Sequence, residues 1–481
     1  MNQAIRNSWV VALAMFVLVL GSLTYVQFFA AEELGDMTPY NSRGVYQDFG
    51  RDRGSILVEG VPVAESVPSD DEFKFQRVYN SPELYSHLTG YFSLAHGNTQ
   101  LESAMNDYLA GTSNEQFYER LVQLFTGGQA QGASVELTID PQLQQMAYDL
   151  IPDGQRGSIV MLDPKTGDIL AMVSKPSYDT NRLAGHDTGV VTQNMDELLA
   201  VPGLSPYLNP ATQSLLAPGS VFKLVVAAAG LESGNYDADS VIPNPQELPL
   251  PGTNIALPNF VNGACASRTE ADLQFALEQS CNTVFAQMAW ELGEGTLAEQ
   301  AKLFGFDTSI NIPTRVEASH FPTEQDQAQL ALSSIGQGSV TATPLEVAMI
   351  SSAIANNGVQ MKPNLIRTVR ASDLSVIEEP DPEVLNTSVS PETARQLTEW
   401  MVDVVERGTA TSAQVPGYTV AGKTGTAEVE GRGDNAWFTG FAPADDPQVA
   451  IAVVMEDVDL ATGAQLTTPS AQKLLEAVLN K

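Results

Sequence analysis

The longest apolar stretch of the chain lies near its start. Residues 9–31 carry no charge, and as a helix rising 1.5 Å per residue they would span roughly 34 Å, enough to cross the hydrocarbon core of a bilayer. Arg6 precedes the stretch and two glutamates follow it, which favours an N-terminus inside the cell and a chain exported beyond it. A cleaved signal peptide is the alternative, but bulky phenylalanines stand near the exit, where cleavage prefers small residues. We therefore expect an uncleaved anchor over residues 9–31, preceded by a short cytoplasmic tail, residues 1–8.

A second apolar stretch follows Pro218 and Gly219 and is apolar nearly all round, which predicts a helix buried inside a domain. Ser220 opens this helix. Lys223 lies three residues on, on the same face, at the helix end where backbone N–H groups favour negative charge. The two side chains are therefore expected to lie close together.

Shorter apolar runs predict strands before and after this helix. Residues 157–162 and 168–174 predict an antiparallel hairpin, and residues 418–428, 435–443 and 449–456 predict three late strands. The loops between the late strands are too short for helical crossovers, so the sheet should be antiparallel. The late strands can complete the sheet that the early hairpin begins.

Capping residues and apolar spacing predict further helices. One begins at Asp140 and Pro141, and another at Thr343, with a capping box to Glu346. Others are predicted over residues 270–279, 391–407 and 470–480, and residues 175–213 are expected to form a long irregular connection. Strands and segregated helices predict an α+β fold. Residues 32–134 are expected to form a small mixed N-terminal domain, and residues 135–481 the main domain.

Composition narrows the function classes. The chain has 481 residues, a formal net charge of -34, 43% hydrophobic and 17% charged residues, which is typical of a globular protein. Such acidity argues against nucleic acid or anionic lipid as the main partner, because both would be repelled. Any anionic substrate must be held by local cations.

The chain has two cysteines, Cys265 and Cys281. In an exported domain this pair can close a loop of roughly 15 residues with a disulfide worth about 3 kcal/mol. Two buried free thiols are the alternative. We predict no metal site and no cofactor.

Three short motifs occur in order: Ser220 with Lys223, then Ser280-Cys281-Asn282, then Lys423-Thr424-Gly425-Thr426. Serine is a weak nucleophile unless a base takes its proton. The histidines (His87, His96, His186 and His320) lie outside these segments and are interpreted as surface or loop residues. Lys223 is therefore the candidate base, which burial and the like charge of Lys423 would help to keep neutral.

The other motif residues have complementary candidate roles. Ser280 can relay a proton, and Asn282 can hold Lys223 and a substrate amide. Lys423, Thr424 and Thr426 offer one charge and two hydroxyls to a substrate carboxylate. Backbone N–H groups of Ser220 and Thr426 would form an oxyanion hole, where each donor is typically worth about 3 kcal/mol. Without the other two motifs, Ser220 and Lys223 would be interpreted as structural residues: a helix cap and a lysine whose side chain reaches toward solvent.

This order of motifs is typical of penicillin-binding proteins and class A β-lactamases, with Cys281 where the usual middle triplet has Asp. Together with Leu162-Asp163-Pro164-Lys165-Thr166-Gly167, Gly336-Gln337-Gly338 and Thr343-Pro344-Leu345, the chain resembles class B penicillin-binding proteins over nearly its whole length beyond the anchor. Arg53-Gly54-Ser55-Ile56 resembles the start of the N-terminal pedestal or dimerisation module of that class. Residues 79–109, with the Ser280 triplet, are similar to the penicillin-binding protein A group of actinobacteria.

The resemblance implies the penicillin-binding serine transpeptidase fold, with a five-stranded antiparallel sheet, flanking helices and a helical subdomain. It implies a monofunctional D,D-transpeptidase in which Ser220 attacks the D-Ala-D-Ala bond of a peptidoglycan stem peptide, and which β-lactams acylate. It also implies a membrane glycosyltransferase partner, because the segment before the main domain is too short to polymerise glycan. A D,D-carboxypeptidase, a β-lactamase and a catalytically idle cell-wall scaffold remain the alternatives.

Overall fold

The computed structural model describes residues 2–26, 49–116, 131–260 and 263–480. Its first helix, Asn2–Thr24, contains an apolar segment, Ile5–Thr24, that is long enough to cross a membrane and is exposed along its length. This helix is consistent with an anchor or a signal sequence. The last residues of the predicted anchor, 27–31, and residues 32–48 lie outside the described residues.

Strands from several parts of the chain assemble into two principal sheets and several two-stranded ribbons. The described strands are β1 (Ile56–Val58), β2 (Val61–Pro68), β3 (Phe75–Tyr79), β4 (Phe92–Ser93), β5 (Gly97–Asn98), β6 (Ser134–Leu137), β7 (Arg156–Leu162), β8 (Ile169–Lys175), β9 (Val241–Pro243), β10 (Glu247–Pro249), β11 (Ala256–Pro258), β12 (Glu270–Asp272), β13 (Ile310–Asn311), β14 (Arg315–Val316), β15 (Val359–Met361), β16 (Ile366–Arg370), β17 (Val376–Glu378), β18 (Val384–Thr387), β19 (Ala421–Ala427), β20 (Asp434–Ala442) and β21 (Val449–Val458).

Helices cover the sheets and fill the region between them. The described helices are α1 (Asn2–Thr24), α2 (Pro82–Thr89), α3 (Gln100–Ala104), α4 (Asn106–Leu109), α5 (Pro141–Leu150), α6 (Asn181–Ala184), α7 (Thr188–Leu199), α8 (Pro210–Gln213), α9 (Lys223–Glu232), α10 (Leu273–Glu278), α11 (Asn282–Leu303), α12 (Gln327–Ser334), α13 (Pro344–Ala355), α14 (Pro391–Glu406) and α15 (Leu460–Leu479), with 3-10 turns at Gly219–Phe222, Ala264–Ser267 and Thr411–Ala413.

The central sheet has the strand order β19-β20-β21-β7-β8, and every pair is antiparallel. Its two faces are covered by different helices. The hydroxyl of Thr439 on β20 donates to Val347 O of α13, whereas Ala436, on the opposite face, packs against Gly463 of α15. The predicted antiparallel five-stranded sheet is confirmed, and burial on both faces explains why its strands are continuous apolar runs.

The second sheet has the order β17-β16-β6-β1-β2-β3 and combines strands from distant parts of the chain. β6 pairs in parallel with β1 and antiparallel with β16. The predicted domain boundary between residues 134 and 135 therefore falls within a strand whose neighbours come from both units. This shared sheet makes the junction between the N-terminal module and the main domain a hydrogen-bonded one.

A buried ion cluster lies within the N-terminal module. Glu102 is fully buried and accepts from Arg53 Nε at 2.6 Å, Arg77 Nε at 2.7 Å and the Tyr79 hydroxyl at 3.1 Å. Burial alone would raise the pKa of Glu102, but the two arginines outweigh it and hold that pKa below its usual value. The cluster fixes β3 to α3 and to the chain just before β1.

The segment leading to Ser220 is more ordered than the sequence predicts. Residues 175–213 include α6, α7 and α8 rather than an irregular connection. Part of this segment packs with Tyr91 of the N-terminal module into a small core separate from the main one. His87 is buried there and its ring nitrogens contact Leu208 O and Pro176 O, so its interpretation as a surface residue is wrong. The sequence missed both features because their apolar partners come from another unit.

Three predicted helices differ from the observed ones. Residues 270–272 form β12, so the helix there starts at Leu273, and the final helix starts at Leu460 and includes Pro469. Thr343 caps α13 through Glu346 N, but the Glu346 side chain does not complete the predicted capping box. Glu346 is buried instead against Gly305, and burial raises its pKa to about 8.

Candidate active site

Ser220 lies on the 3-10 turn Gly219–Phe222, which continues directly into α9. The sequence predicts an α-helix from Ser220 onward, but the regular α-helix begins three residues later, at Lys223. The predicted burial of this helix is confirmed, because Lys223 to Gly230 are buried. The Ser220 side chain is half-buried, and its hydroxyl makes no hydrogen bond to any residue that the structure describes. It is therefore available to an incoming group.

The turn that carries Ser220 is wedged between two backbone segments. Gly219 has φ 57°, and a Cβ there would lie 2.5 Å from Thr426 O of β19. Gly336 has φ 70°, and a Cβ there would lie 2.1 Å from Gly219 O. The two glycines are also joined by a hydrogen bond from Gly219 N to Gly336 O. Only glycine permits both approaches. They bring the Ser220 turn against the end of the Lys423-Thr424-Gly425-Thr426 motif.

Lys223 makes three contacts with the middle motif. Its Nζ donates to Ser280 O at 2.8 Å, to Asn282 Oδ1 at 2.7 Å and, at a longer 3.2 Å, to Ser280 Oγ. Ser280 adopts φ 60°, an uncommon conformation for a residue other than glycine, and in it both its carbonyl and its hydroxyl face the same ammonium. The structure thus joins the first two sequence motifs directly.

Lys423 joins the third motif to the second. Its Nζ donates to Ser280 Oγ at 2.9 Å and to Thr424 O at 3.0 Å. The Ser280 hydroxyl therefore lies between the amino groups of Lys223 and Lys423. Such a bridge can pass a proton from one side of the site to the other.

The two lysines are fully buried and electrostatically coupled. Burial lowers the pKa of Lys223 well below its usual value, and the nearby charge of Lys423 lowers it further. Burial lowers the pKa of Lys423 to about 7. No carboxylate pairs with either amino group among the described residues. The site therefore combines an amine poised to accept a proton with a cation that lacks a counterion.

Thr424 has a partner that the sequence did not indicate. The Thr409 hydroxyl lies 2.6 Å from the Thr424 hydroxyl. Two residues earlier, Arg407 Nε donates to Glu278 Oε2 at 2.9 Å, which joins the end of α14 to the end of α10, just before Ser280. Thr409 has no recognisable motif of its own, so only the fold could bring it to this site.

Cys281 is disulfide-bonded to Cys265 and occupies the N-cap position of α11. Its side chain makes no capping hydrogen bond. That function belongs to Asn259, whose Oδ1 accepts from Asn282 N at 2.7 Å and from Thr283 N at 3.3 Å. Asn259 lies in a stretch rich in Pro, Asn and Gly, and no sequence pattern distinguished it from its neighbours.

Arranged in this way, the residues can perform acyl transfer. A nucleophilic hydroxyl, a candidate base, a bridging hydroxyl and an uncompensated cation converge beside the edge strand β19. A substrate with a carboxylate would be drawn to Lys423, the local cation that an overall acidic chain requires for an anionic substrate.

Comparisons with known proteins identify the relatives of this chain. Residues 157–476 match the family model of the penicillin binding protein transpeptidase domain, and residues 53–135 match that of the penicillin binding protein A dimerisation domain. The chain is 38% identical over 493 residues to the peptidoglycan D,D-transpeptidase PbpA of Mycolicibacterium smegmatis, and the match covers 100% of both chains. It is 37% identical over 491 residues to the peptidoglycan D,D-transpeptidase PbpA of Mycobacterium tuberculosis strain H37Rv, covering 100% of this chain and 99% of the relative.

Solved structures give the same result. A ceftriaxone acyl-enzyme complex of penicillin-binding protein A from M. tuberculosis matches with a TM-score of 0.86 and 36% identity, covering 90% of this chain and 100% of that one. The penicillin G acyl-enzyme complex of the same protein matches with a TM-score of 0.84 and 37% identity, covering 89% and 100%.

Proposed function

Because the chain belongs to the penicillin-binding protein A family of class B transpeptidases and is a peptidoglycan D,D-transpeptidase that β-lactams acylate, we propose that Ser220 is its nucleophile. The observation that carries this assignment is the convergence on Ser280 of the amino groups of Lys223 and Lys423, with the Ser220 turn packed against Thr426. The Ser280 hydroxyl is already held by both lysines, whereas the Ser220 hydroxyl makes no hydrogen bond to any residue that the structure describes.

In the proposed reaction, Ser220 Oγ attacks the carbonyl carbon of the D-Ala-D-Ala bond. The C–N bond breaks, D-alanine leaves with a proton on its amine, and the acyl group stays on the serine. The amine of a second stem peptide then displaces Ser220 and forms the cross-link. Backbone N–H groups of Ser220 and Thr426 stabilise the oxyanion, each contributing about 3 kcal/mol.

Lys223 is the proposed base. A neutral amine has two N–H groups and one lone pair, whereas Lys223 Nζ has three polar neighbours. Keeping its two short contacts, to Ser280 O and Asn282 Oδ1, leaves the lone pair free to accept the proton of Ser220. The lowered pKa supports this state near neutral pH.

Ser280 is the proposed relay to the leaving group. Its hydroxyl accepts from Lys423 at 2.9 Å and lies 3.2 Å from Lys223. The proton that Lys223 takes from Ser220 can therefore pass through Ser280 to the departing amine. Lys423, Thr424 and Thr426 hold the terminal carboxylate of the donor peptide, and Gly425 lets the strand approach the Ser220 turn closely.

The function is tested by following the mass of the full-length protein, in detergent micelles, after addition of penicillin G. We expect one penicilloyl adduct per chain that persists for hours, located by peptide fragmentation at Ser220. A fragment map that placed the adduct on another serine would refute the assignment. An adduct that clears within minutes would favour β-lactam hydrolysis, and a folded protein with no adduct would favour the scaffold.

The titration of Lys423 predicts an alkaline limb in the acylation rate. Since burial lowers the pKa of Lys423 to about 7, the fraction that carries the charge needed for the substrate carboxylate falls as pH rises above 7. We expect the second-order rate of penicillin G acylation to fall up to tenfold per pH unit on that limb. In Lys423→Arg, which stays charged, the maximum should be lower but the limb should disappear. The same alkaline limb in Lys423→Arg would exclude Lys423 as its source.

The N-terminal helix supports a proposal about the side of the membrane on which the catalytic site lies. We propose that residues 9–31 anchor the chain in the cell membrane by a single span, with residues 1–8 in the cytoplasm and the catalytic domain outside. Residues 32–134 then form the pedestal module and residues 135–481 the transpeptidase unit. The glycan strands that it cross-links would come from a membrane glycosyltransferase partner, since the segment between the anchor and the transpeptidase unit is too short for a polymerase domain.

A further inference from the structure

Two buried asparagines, Asn244 and Asn259, form a clasp behind the Ser280-Cys281-Asn282 motif. Asn259 is 1% exposed and Asn244 is 2% exposed. Asn259 Nδ2 donates to Asn244 Oδ1 at 2.7 Å, to Pro245 O at 3.1 Å and to Thr283 Oγ1 at 2.9 Å. Asn244 Nδ2 in turn donates to Cys265 O and Arg268 O. The clasp thus connects the N-terminus of α11 to the loop that carries Cys265.

The orientation of the Asn259 carboxamide follows from its neighbours. Its oxygen faces the backbone N–H groups of Asn282 and Thr283, which can only donate. Its nitrogen faces the carbonyl of Pro245, which can only accept. The opposite orientation would set donor against donor and acceptor against acceptor, so the neighbours fix which end of the carboxamide faces α11.

The preceding residue holds the side chain of Asn282. Asn282 Nδ2 donates to Pro258 O at 2.9 Å, which leaves its Oδ1 directed at Lys223 Nζ. Pro258 and Asn259 are consecutive, so one short segment positions both the backbone and the side chain of Asn282. Because Cys281, at the N-cap position, makes no capping hydrogen bond, Asn259 supplies the cap that α11 lacks.

We propose that Asn259 is a positioning residue for acylation, which places the Asn282 carboxamide so that it holds and aims the Lys223 amine. The proposal rests on the roles of Lys223 and Asn282 stated above. Without the cap, the first turn of α11 loses the acceptor that fixes Asn282, and a shift of about 1 Å in a catalytic group can cost on the order of 100-fold in rate. Asn259 itself does not touch the substrate.

The test compares acylation of full-length variants in micelles by penicillin G, measured as a second-order rate across pH. We expect N259A and N282A each to lose about 10- to 100-fold. If Asn259 acts through Asn282, the double variant should be no slower than N282A alone, since the two losses would not add. The acid limb of the pH profile should move to lower pH in both, because losing an acceptor of its N–H groups lowers the pKa of Lys223.

Two matched controls separate positioning from loss of stability. T283V removes the Thr283 hydroxyl, which accepts from Asn259 Nδ2, but leaves the hydrogen bond from Asn282 N to Asn259 Oδ1. It should therefore lower the melting temperature without slowing acylation. N254D changes an exposed asparagine of the same loop and should alter neither the melting temperature nor the acylation rate. N259D keeps an oxygen facing the two N–H groups, and burial favours its neutral acid, whose O–H can donate to Pro245 O in place of the amide, so it should recover most of the lost rate.

The outcomes distinguish this inference from the proposed function. A folded N259A that acylates like the wild type, while N282A is slow, would overturn the role of Asn259 and leave the function intact. A double variant slower than N282A by the full effect of N259A would also overturn it. If N259A does not fold, the acylation rate of N259D is the test. A rate for N259D as low as that of N282A would contradict the proposal. Normal acylation of both N282A and Lys223→Met would instead contradict the proposed function.

Discussion

Full-length protein carrying Ser220→Ala is expected to take up no penicillin G, while its fold is retained. The substitution removes a half-buried hydroxyl that makes no hydrogen bond with the described residues, so no polar partner is left unsatisfied. Without that oxygen no ester can form. Intact-mass analysis after several hours with excess penicillin G would detect an adduct on as little as a few per cent of the chains.

The matched control is Ser214→Ala, which changes a half-buried serine in the same segment, at the end of α8. It should be acylated like the wild type. Circular dichroism melting of both variants shows whether either has lost its fold. An adduct of penicilloyl mass on folded Ser220→Ala would mean that another residue is the nucleophile.

Lys223→Met should lower the acylation rate by about 100- to 10,000-fold, the range over which a general base contributes. Methionine replaces the buried stem with a chain of similar volume, so the packing of α9 changes little. The proton of Ser220 then has no ready acceptor, because the other amine of the site, Lys423, is engaged in hydrogen bonds to Ser280 Oγ and Thr424 O. Stopped-flow measurement with a chromogenic cephalosporin gives the rate.

Lys302→Met, which alters an exposed lysine at the end of α11, is the control and should leave the rate unchanged. The pH profile gives a second check. Any residual acylation in Lys223→Met should lose the acid limb that the titration of Lys223 produces, although the alkaline limb should remain. A rate within threefold of the wild type would show that the base lies elsewhere.

The sequence predicts the central sheet well because each of its strands is buried on both faces. Continuous apolar runs such as residues 449–456 and short turn-forming loops leave few alternatives. The motifs were equally recognisable, since Ser220 with Lys223, the Ser280 triplet and the Lys423 segment follow one another in the order typical of penicillin-binding proteins. Order along the chain and a buried helix beneath Ser220 were sufficient to place them together.

Other parts of the site could not be predicted, because they depend on contacts between distant segments. Asn259 acts through neighbours at positions 244 and 282, and Thr409 matters only because α14 ends beside β19. Helix α7 was missed for a similar reason, since its apolar side packs partly on Tyr91 of the N-terminal module. Local patterns carry little information about such long-range pairings.

The shared sheet has a consequence for the order in which the chain can fold. β6 ends at Leu137, but its partner β16 begins only at Ile366. At synthesis rates of roughly 5 to 20 residues per second, about 10 to 45 seconds separate the emergence of the two strands. During that interval one edge of β6 has no partner, and unpaired strand edges are the sites at which chains associate wrongly. The N-terminal module therefore completes its sheet only after most of the transpeptidase unit has been made, so a ribosome that stalls between the two strands leaves a growing chain with an open edge.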